Sequence, residues 1–442
     1  MLLWIRWASH KTPLKLLWTA EGTSSLVNQF MQLLLPWYVL STTGSLLWTG
    51  FIGFCSLLPN IFSSLYGGKM IDKLGRSKMM LSCEVIQFVL LGAIPILIAC
   101  HAAYPWLIGV LIFLSSFFDA PGQLARTALA PTFSRYAEVS LPRATGVVEA
   151  LDGIMSVFGP ILGGIFIAFL GLYASWVAVV VMCAFIVLIS LTIYSRRNRR
   201  LLSNPTTFSH AWQLLKADHV LRDSILFTMP FFILGQSWEL LLLPGYIYQY
   251  HYDPVYLGLL GAAFGLGAFM GALYFARAAK KFKFFTLLTA NYAAYTLSVL
   301  VLYYNFPKTV VLGATWLCGI PFGAFSAMIS TLILLRAPEN LRGKILGIFA
   351  TASYTVESLC VLGIAVFMHF LGLQKTLAFM AYMFSGLILI SVIGRKKNDF
   401  WAETSGKTPL PPWQKVKKKK VLLLEYKPGM PLRRTEHIWT HK

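Results

Sequence analysis

Apolar runs of about twenty residues alternate with short polar segments through most of the chain. Twelve such runs cover roughly 17–41, 45–67, 79–100, 106–125, 144–169, 174–194, 223–247, 255–276, 284–304, 309–335, 345–370 and 376–394. A helix needs about 20 apolar residues to cross a bilayer, so each run is a candidate transmembrane helix. The runs fall into two sets of six. Between them lies a polar segment, 195–222, that holds "SRRNRR" and the turn-forming "SNPT". The division this predicts is an N-terminal bundle over 1–194, a linker over 195–222, a C-terminal bundle over 223–394 and a basic tail over 395–442.

Charge tests the span count. Lysine and arginine near spans stay on the cytoplasmic side. With the N-terminus placed inside, 36 of the 38 basic residues fall in inside segments, and only Lys308 and Lys375 fall outside. A wrong count would scramble this alternation. The expectation is therefore an all-α membrane protein of twelve spans with both termini cytoplasmic. Six plus six helices point to a transporter built from internal repeats.

Composition agrees. Of 442 residues, 57% are hydrophobic and 12% charged, about half the charged fraction of a soluble domain. The net charge of +21 is largely accounted for by topology, which removes the case for a nucleic-acid partner. The six cysteines show no metal or disulfide spacing. The eight histidines are scattered and no Ser/His/Asp spacing appears, so neither an enzyme, a metal nor a cofactor is expected. No nucleotide-binding motif appears either, which argues against an ATP-driven pump. No signal-peptide pattern precedes the first run.

One polar segment needs more than topology. Between spans 2 and 3 the chain reads Gly68-x3-Asp72-Lys73-x-Gly75-Arg76-x-Lys78. Positive-inside anchoring explains the lysines but not Asp72 or the spaced glycines. The counterpart between spans 8 and 9, "GALYFARAAKKFK", keeps Gly271 and the basic residues and has Phe275 in place of the acid. The segment resembles the signature loop of the major facilitator superfamily. "FFDAPGQLARTALAP" (Phe117–Pro131), "LPRATGVVEAL" (Leu141–Leu151) and the stretch Leu241–Leu273 resemble its drug-and-macrolide-efflux branch. The resemblance covers about 14–394.

The resemblance implies proton-coupled efflux of bulky drug-like or macrolide-type compounds from a bacterial cell by alternating access. Export of an endogenous siderophore, peptide or lipid is the alternative within transport. A non-transporting membrane receptor or enzyme is the alternative outside it. The resemblance also implies roles for the loop. Asp72 would cap the start of helix 11 near 342–345 and Arg76 would pair with Asp119, with Gly68 and Gly75 allowing the close approach. A carboxylate at a helix N-terminus is favoured by its free N–H groups. "GPILGG" in span 5, with Gly159, Pro160, Gly163 and Gly164, resembles the second half of an antiporter motif; close helix packing also accounts for it. One departure is Met155, where the fuller motif has glycine. A second is span 4, whose first basic residue, Arg126, lies at the end of the apolar run, so no arginine is expected inside that helix.

Acids inside spans are costly and are functional suspects. At 1.5 Å per residue, Asp152 lies about 12 Å from the inner end of span 5, Glu357 about 20 Å into span 11 and Glu239 about 24 Å into span 7. With no cation expected at that depth, burial favours their neutral form, so they are candidates for proton coupling or for a cationic substrate. The alternative is a protonated acid hydrogen-bonded to a neighbouring helix. Glu21, Glu84 and Glu149 are shallower and read as interfacial. Asn28, Gln29, Gln32, Gln236, Trp238 and Trp316 are candidates to line the cavity. The expected partners are a small-molecule substrate, protons and the bilayer, with anionic lipid beside the basic tail unless that tail is simply solvated.

Overall fold

The computed structural model describes residues 12–194, 208–278, 283–337 and 341–397. Residues 64–69, 72, 142, 208–211, 214, 219–220, 233–234, 334–335, 342–343 and 394–397 are described by their backbone alone, so the side chains of Asp72 and Arg342 lie outside the description. The tail beyond Lys397 and the segment 195–207 also lie outside it.

All regular structure among the described residues is helical. The order is α1 (Thr12–Thr43), α2 (Leu46–Leu74), α3 (Arg76–Ala99), α4 (Pro105–Tyr136), α5 (Leu141–Ile193), α6 (Phe208–Ala217), α7 (His219–Ser237), a π-helical turn (Trp238–Leu242), α8 (Leu243–Gln249), α9 (Pro254–Ala278), α10 (Phe284–Tyr303), α11 (Lys308–Arg336) and α12 (Arg342–Lys397). Nine helices among the described residues are long and apolar enough to cross a membrane, with α7, the π-turn and α8 forming one of them. Side chains such as Val89, Phe169, Phe370 and Tyr382 point away from the protein and are at least 60% exposed. A packed soluble domain would not leave them so, but lipid accommodates them.

Two helices are too long for one crossing. α5 has 53 residues and α12 has 56, about 80 Å each if straight, against a hydrocarbon core of ~30 Å. Both break where glycine adopts a left-handed conformation, Gly171 at φ 80° and Gly372 at φ 78°. A Cβ would strain the backbone there. The surrounding sequence repeats, with Phe169-Leu170-Gly171-Leu172 matched by Phe370-Leu371-Gly372-Leu373. Left-handed residues also occupy the turns at Gly44, His101, His251 and Asn305. At the last three, the next residue's N–H closes back on the helix: Ala102 to Leu97 O, Tyr252 to Ile247 O and Phe306 to Val301 O, at 2.9–3.2 Å. These are helix-terminating bonds of the Schellman type, and a proline soon follows in each case. The turns recur in both halves and mark one end of the bundle.

Helices α1–α5 and α7–α12 form two groups. They join along α5 with α9 and along α2 with α12. The first seam is made of small residues. A Cβ on Gly258 would lie 2.5 Å from Pro160 O, and one on Gly164 would lie 2.9 Å from Pro254 O. On the second seam Gly50 meets Ala365 and Gly53 meets Val361. In lipid there is little hydrophobic drive between helices, so close backbone approach supplies the packing energy.

The segment expected as a polar linker contains a ten-residue helix, α6, and the first turn of α7. The Asp218 carboxylate closes this region onto the rest. It accepts from Arg336 Nε at 2.9 Å and Nη2 at 3.0 Å, and from the Leu221 N–H at 3.2 Å, where it caps α7.

Candidate functional site

A cavity of about 380 Å³ lies between the two groups. Gln29 and Gln32 reach it from α1, Ser156 and Pro160 from α5, Gln236 from α7, Glu239 from the π-turn, and Tyr354 and Glu357 from α12. Phe232, Phe264 and Phe322 give it aromatic walls. None of its described lining residues is basic. Glu357 is only 4% exposed. Among the described residues, neither Glu239 nor Glu357 has a hydrogen-bond or ion-pair partner.

Two neighbours in the π-turn point apart, as successive residues of any helix do. Glu239 faces the cavity, while Trp238 turns away and is buried, its ring 6.1 Å from and perpendicular to Tyr295 of α10. A π-turn inserts an extra residue into a helix and is found often at functional sites. The expectation that Trp238 lines the cavity is therefore corrected. Asn28 is corrected too: it precedes Gln29 and so points about 100° round α1 from it. Trp316 lies where the α11 backbone packs on Gly267 of α9 and does not line the cavity. Asp152 also stays out of it and accepts a hydrogen bond from the Ser25 hydroxyl of α1.

A second polar site lies among α1, α3 and α4. Arg126 is 2% exposed. Its Nε donates to Glu21 Oε2 at 2.7 Å, its Nη2 to Ser24 Oγ at 2.7 Å, and its Nη1 to Glu84 Oε1. Three sequence expectations change here. The first basic residue of the fourth span is not at a helix end, because α4 continues ten residues further to Tyr136. Glu21 and Glu84 are not interfacial, since both are buried. They lie about 12–14 Å along their helices from the described N-terminal ends. A cation does therefore lie within this part of the bundle. The sequence separations of 105 and 42 residues kept the group out of sight. A basic residue ending an apolar run, with two acids one helical turn or so inside other runs, was the available signal. Glu149 is exposed.

The remaining expected residues divide as follows. Asp119 accepts from Gln87 Nε2 at 3.1 Å, and its expected pair with Arg76 is not among the ion pairs of the described residues. The loop's acid, Asp72, cannot be placed against α12 because its side chain lies outside the description. Gly75 ends α2 at φ 85°, with its N–H bonded to Ile71 O at 2.8 Å. In "GPILGG", Gly159 lies against Gln29 and Gly163 against Leu33 and Phe30, both on α1, while Pro160 and Gly164 meet α9. One short motif thus serves two faces of α5.

The family model of the Major Facilitator Superfamily matches residues 17–360. The multidrug efflux pump Tap of Mycolicibacterium fortuitum is 26% identical over 363 residues, covering 79% of this chain and 88% of that protein. The Tap pump of Mycobacterium tuberculosis (strain ATCC 25618 / H37Rv) is 24% identical over 379 residues, covering 82% and 89%. The nucleoside transporter NupG shares the fold with a TM-score of 0.71 at 13% identity, covering 87% of this chain and 99% of its own. With apolar helices and bacterial relatives, the protein is an integral membrane protein of the bacterial cell membrane. The extent of the family match settles its kinship: the chain belongs to the Major Facilitator Superfamily of transporters.

Proposed function

We propose that this transporter exports drug-like compounds, of bulky or macrolide type, in exchange for protons, by alternating access between its two helix groups. One observation carries the reading most. Glu239 and Glu357 face a single cavity between the two helix groups with no described counter-charge, where an acid must either be protonated or meet a cation. The likeness to the Tap multidrug efflux pumps supports the direction of transport. The second reading is export of an endogenous siderophore, peptide or lipid.

The topology we propose is twelve crossings with both ends cytoplasmic. It is supported by the breaks at Gly171 and Gly372, which divide each long helix into two membrane-length pieces, by the length of α1, and by the distribution of basic residues. On this topology the glycine seams close the outer side. Asp72, Gly68, Gly75 and Arg76 then belong to a cytoplasmic latch that engages in the opposite state. Asp72→Asn should weaken that latch and raise cytoplasmic-side accessibility. Unchanged transport and accessibility in this variant would remove the latch.

Accumulation assays test the main reading. In a strain lacking its own efflux pumps, expression should lower drug accumulation, and a protonophore should restore it. Accumulation indifferent to expression, across a broad compound panel, would end the efflux reading.

A further inference from the structure

The acids with described side chains differ in how they are held. Glu21 and Glu84 share Arg126, Asp152 has Ser25, Asp119 has Gln87, Asp218 has Arg336 and Asp223 has Arg222. Asp253 accepts from the Val255 N–H. Glu138 and Glu149 are exposed. Only Glu357, which is buried, and Glu239, which is half-buried, are neither exposed nor held by a described partner, and they share one cavity with the amides of Gln29, Gln32 and Gln236 and with aromatic walls.

From this we infer that the cavity takes an amphipathic organic cation of modest size, with its positive charge at Glu239 and Glu357 and its apolar body against Phe264 and Phe322. The inference rests on the efflux reading for the direction of movement and on the cavity alone for the chemistry. Aromatic faces attract cations electrostatically, and more strongly when the site is dry. An anionic ligand would meet two carboxyls and no described basic side chain. A neutral ligand would suit the site only with both acids protonated, and would gain nothing from their charge. Size is bounded as well. Ligand cavities run from about 300 to 1,000 Å³, and 380 Å³ lies near the lower end. That favours compact aromatic cations over macrolides in this conformation. Glutamine amides present both donors and acceptors, so they suit varied polar groups on such ligands.

Binding to the full-length protein in lipid nanodiscs tests this. The probes are tetraphenylphosphonium, a permanent monocation, and triphenylphosphine oxide, a neutral molecule with a similar aromatic body. Tetraphenylphosphonium should bind saturably and more tightly than the phosphine oxide. Glu357→Gln and Glu239→Gln should each weaken it about tenfold or more, the scale expected when a desolvated charge contact is lost. Glu357→Asp should retain most of the affinity, which guards against a folding defect, and Glu149→Gln should leave it unchanged. Equal affinity for the two probes, or full affinity in both glutamine variants, overturns the cation assignment. The accumulation assay separates the two readings. Export of neutral or anionic compounds without tetraphenylphosphonium binding keeps efflux and removes the cation site. Glutamate-dependent binding without export of any compound keeps the site and removes the efflux reading.

Discussion

The two polar sites hold their acids in opposite ways. Among α1, α3 and α4, Glu21 and Glu84 each hold one arginine, which also donates to a serine hydroxyl, so each charged group has a partner. Around the cavity, Glu239 and Glu357 have none described. Removing ions from water costs several kcal/mol each even after relaxation. The first arrangement offsets that cost internally. The second leaves it to be met by a proton or a ligand. The contrast teaches which buried charge serves the fold and which is free to change partners. Asp218 and Arg336 show that position in the chain is not the cause. Asp218 precedes α7 and Arg336 ends α11, in the C-terminal half, yet they are paired as Glu21 and Glu84 are with Arg126.

The largest test removes the shared cation. Arg126→Met should destabilise the protein by about 3–5 kcal/mol, because it leaves two buried carboxyls without their partner. Thermal unfolding in detergent, or loss of folded yield, reads this out. A midpoint equal to wild type would mean the group is not structural. Asp218→Asn is the matching test in the other group. Loss of charge-assisted bonds should cost about 1.5–3 kcal/mol, again seen in unfolding, with the substrate affinity of the remaining folded protein unchanged. A selective loss of affinity would blur the distinction between the two kinds of acid.

A third variant asks whether the two sites ride on bodies that move apart. Gly258→Val puts side-chain atoms where a Cβ already lies 2.5 Å from Pro160 O. Overpacking costs about 1–3 kcal/mol, and separation of α5 from α9 relieves it. Spin labels on the turns at His101 and Asn305 should therefore show a longer mean distance than in the unsubstituted protein. An unchanged distance, with the protein folded, would mean that this seam does not open.

Much of the fold was legible in the hydropathy pattern, since the apolar runs near 255–276, 284–304 and 309–335 end within two residues of helix ends. The fourth run stopped short because hydropathy treats Arg126 as a loop residue. It cannot register that Glu21 and Glu84 arrive from other helices to neutralise it. The same blindness to pairing made Glu21 and Glu84 look interfacial. The cavity was partly legible, since Gln29, Gln32, Gln236, Glu239 and Glu357 are polar positions within apolar runs and all reach it. Trp238 was misplaced because it sits next to Glu239 and so about 100° round the helix from it, against Tyr295. Asp152 was misplaced because Ser25, its partner, lies 127 residues away. Such a partner has no signature in local periodicity.

The central claim is that the unpartnered acids carry the transport and the partnered acids carry the fold. The most direct test is the rate of proton-driven transport of a cationic drug by the Glu239→Gln/Glu357→Gln protein in everted membrane vesicles, normalised to folded protein. The account predicts a loss of about tenfold or more, the scale of one charge contact, in a protein that still folds. Wild-type transport from the doubly substituted protein would contradict it.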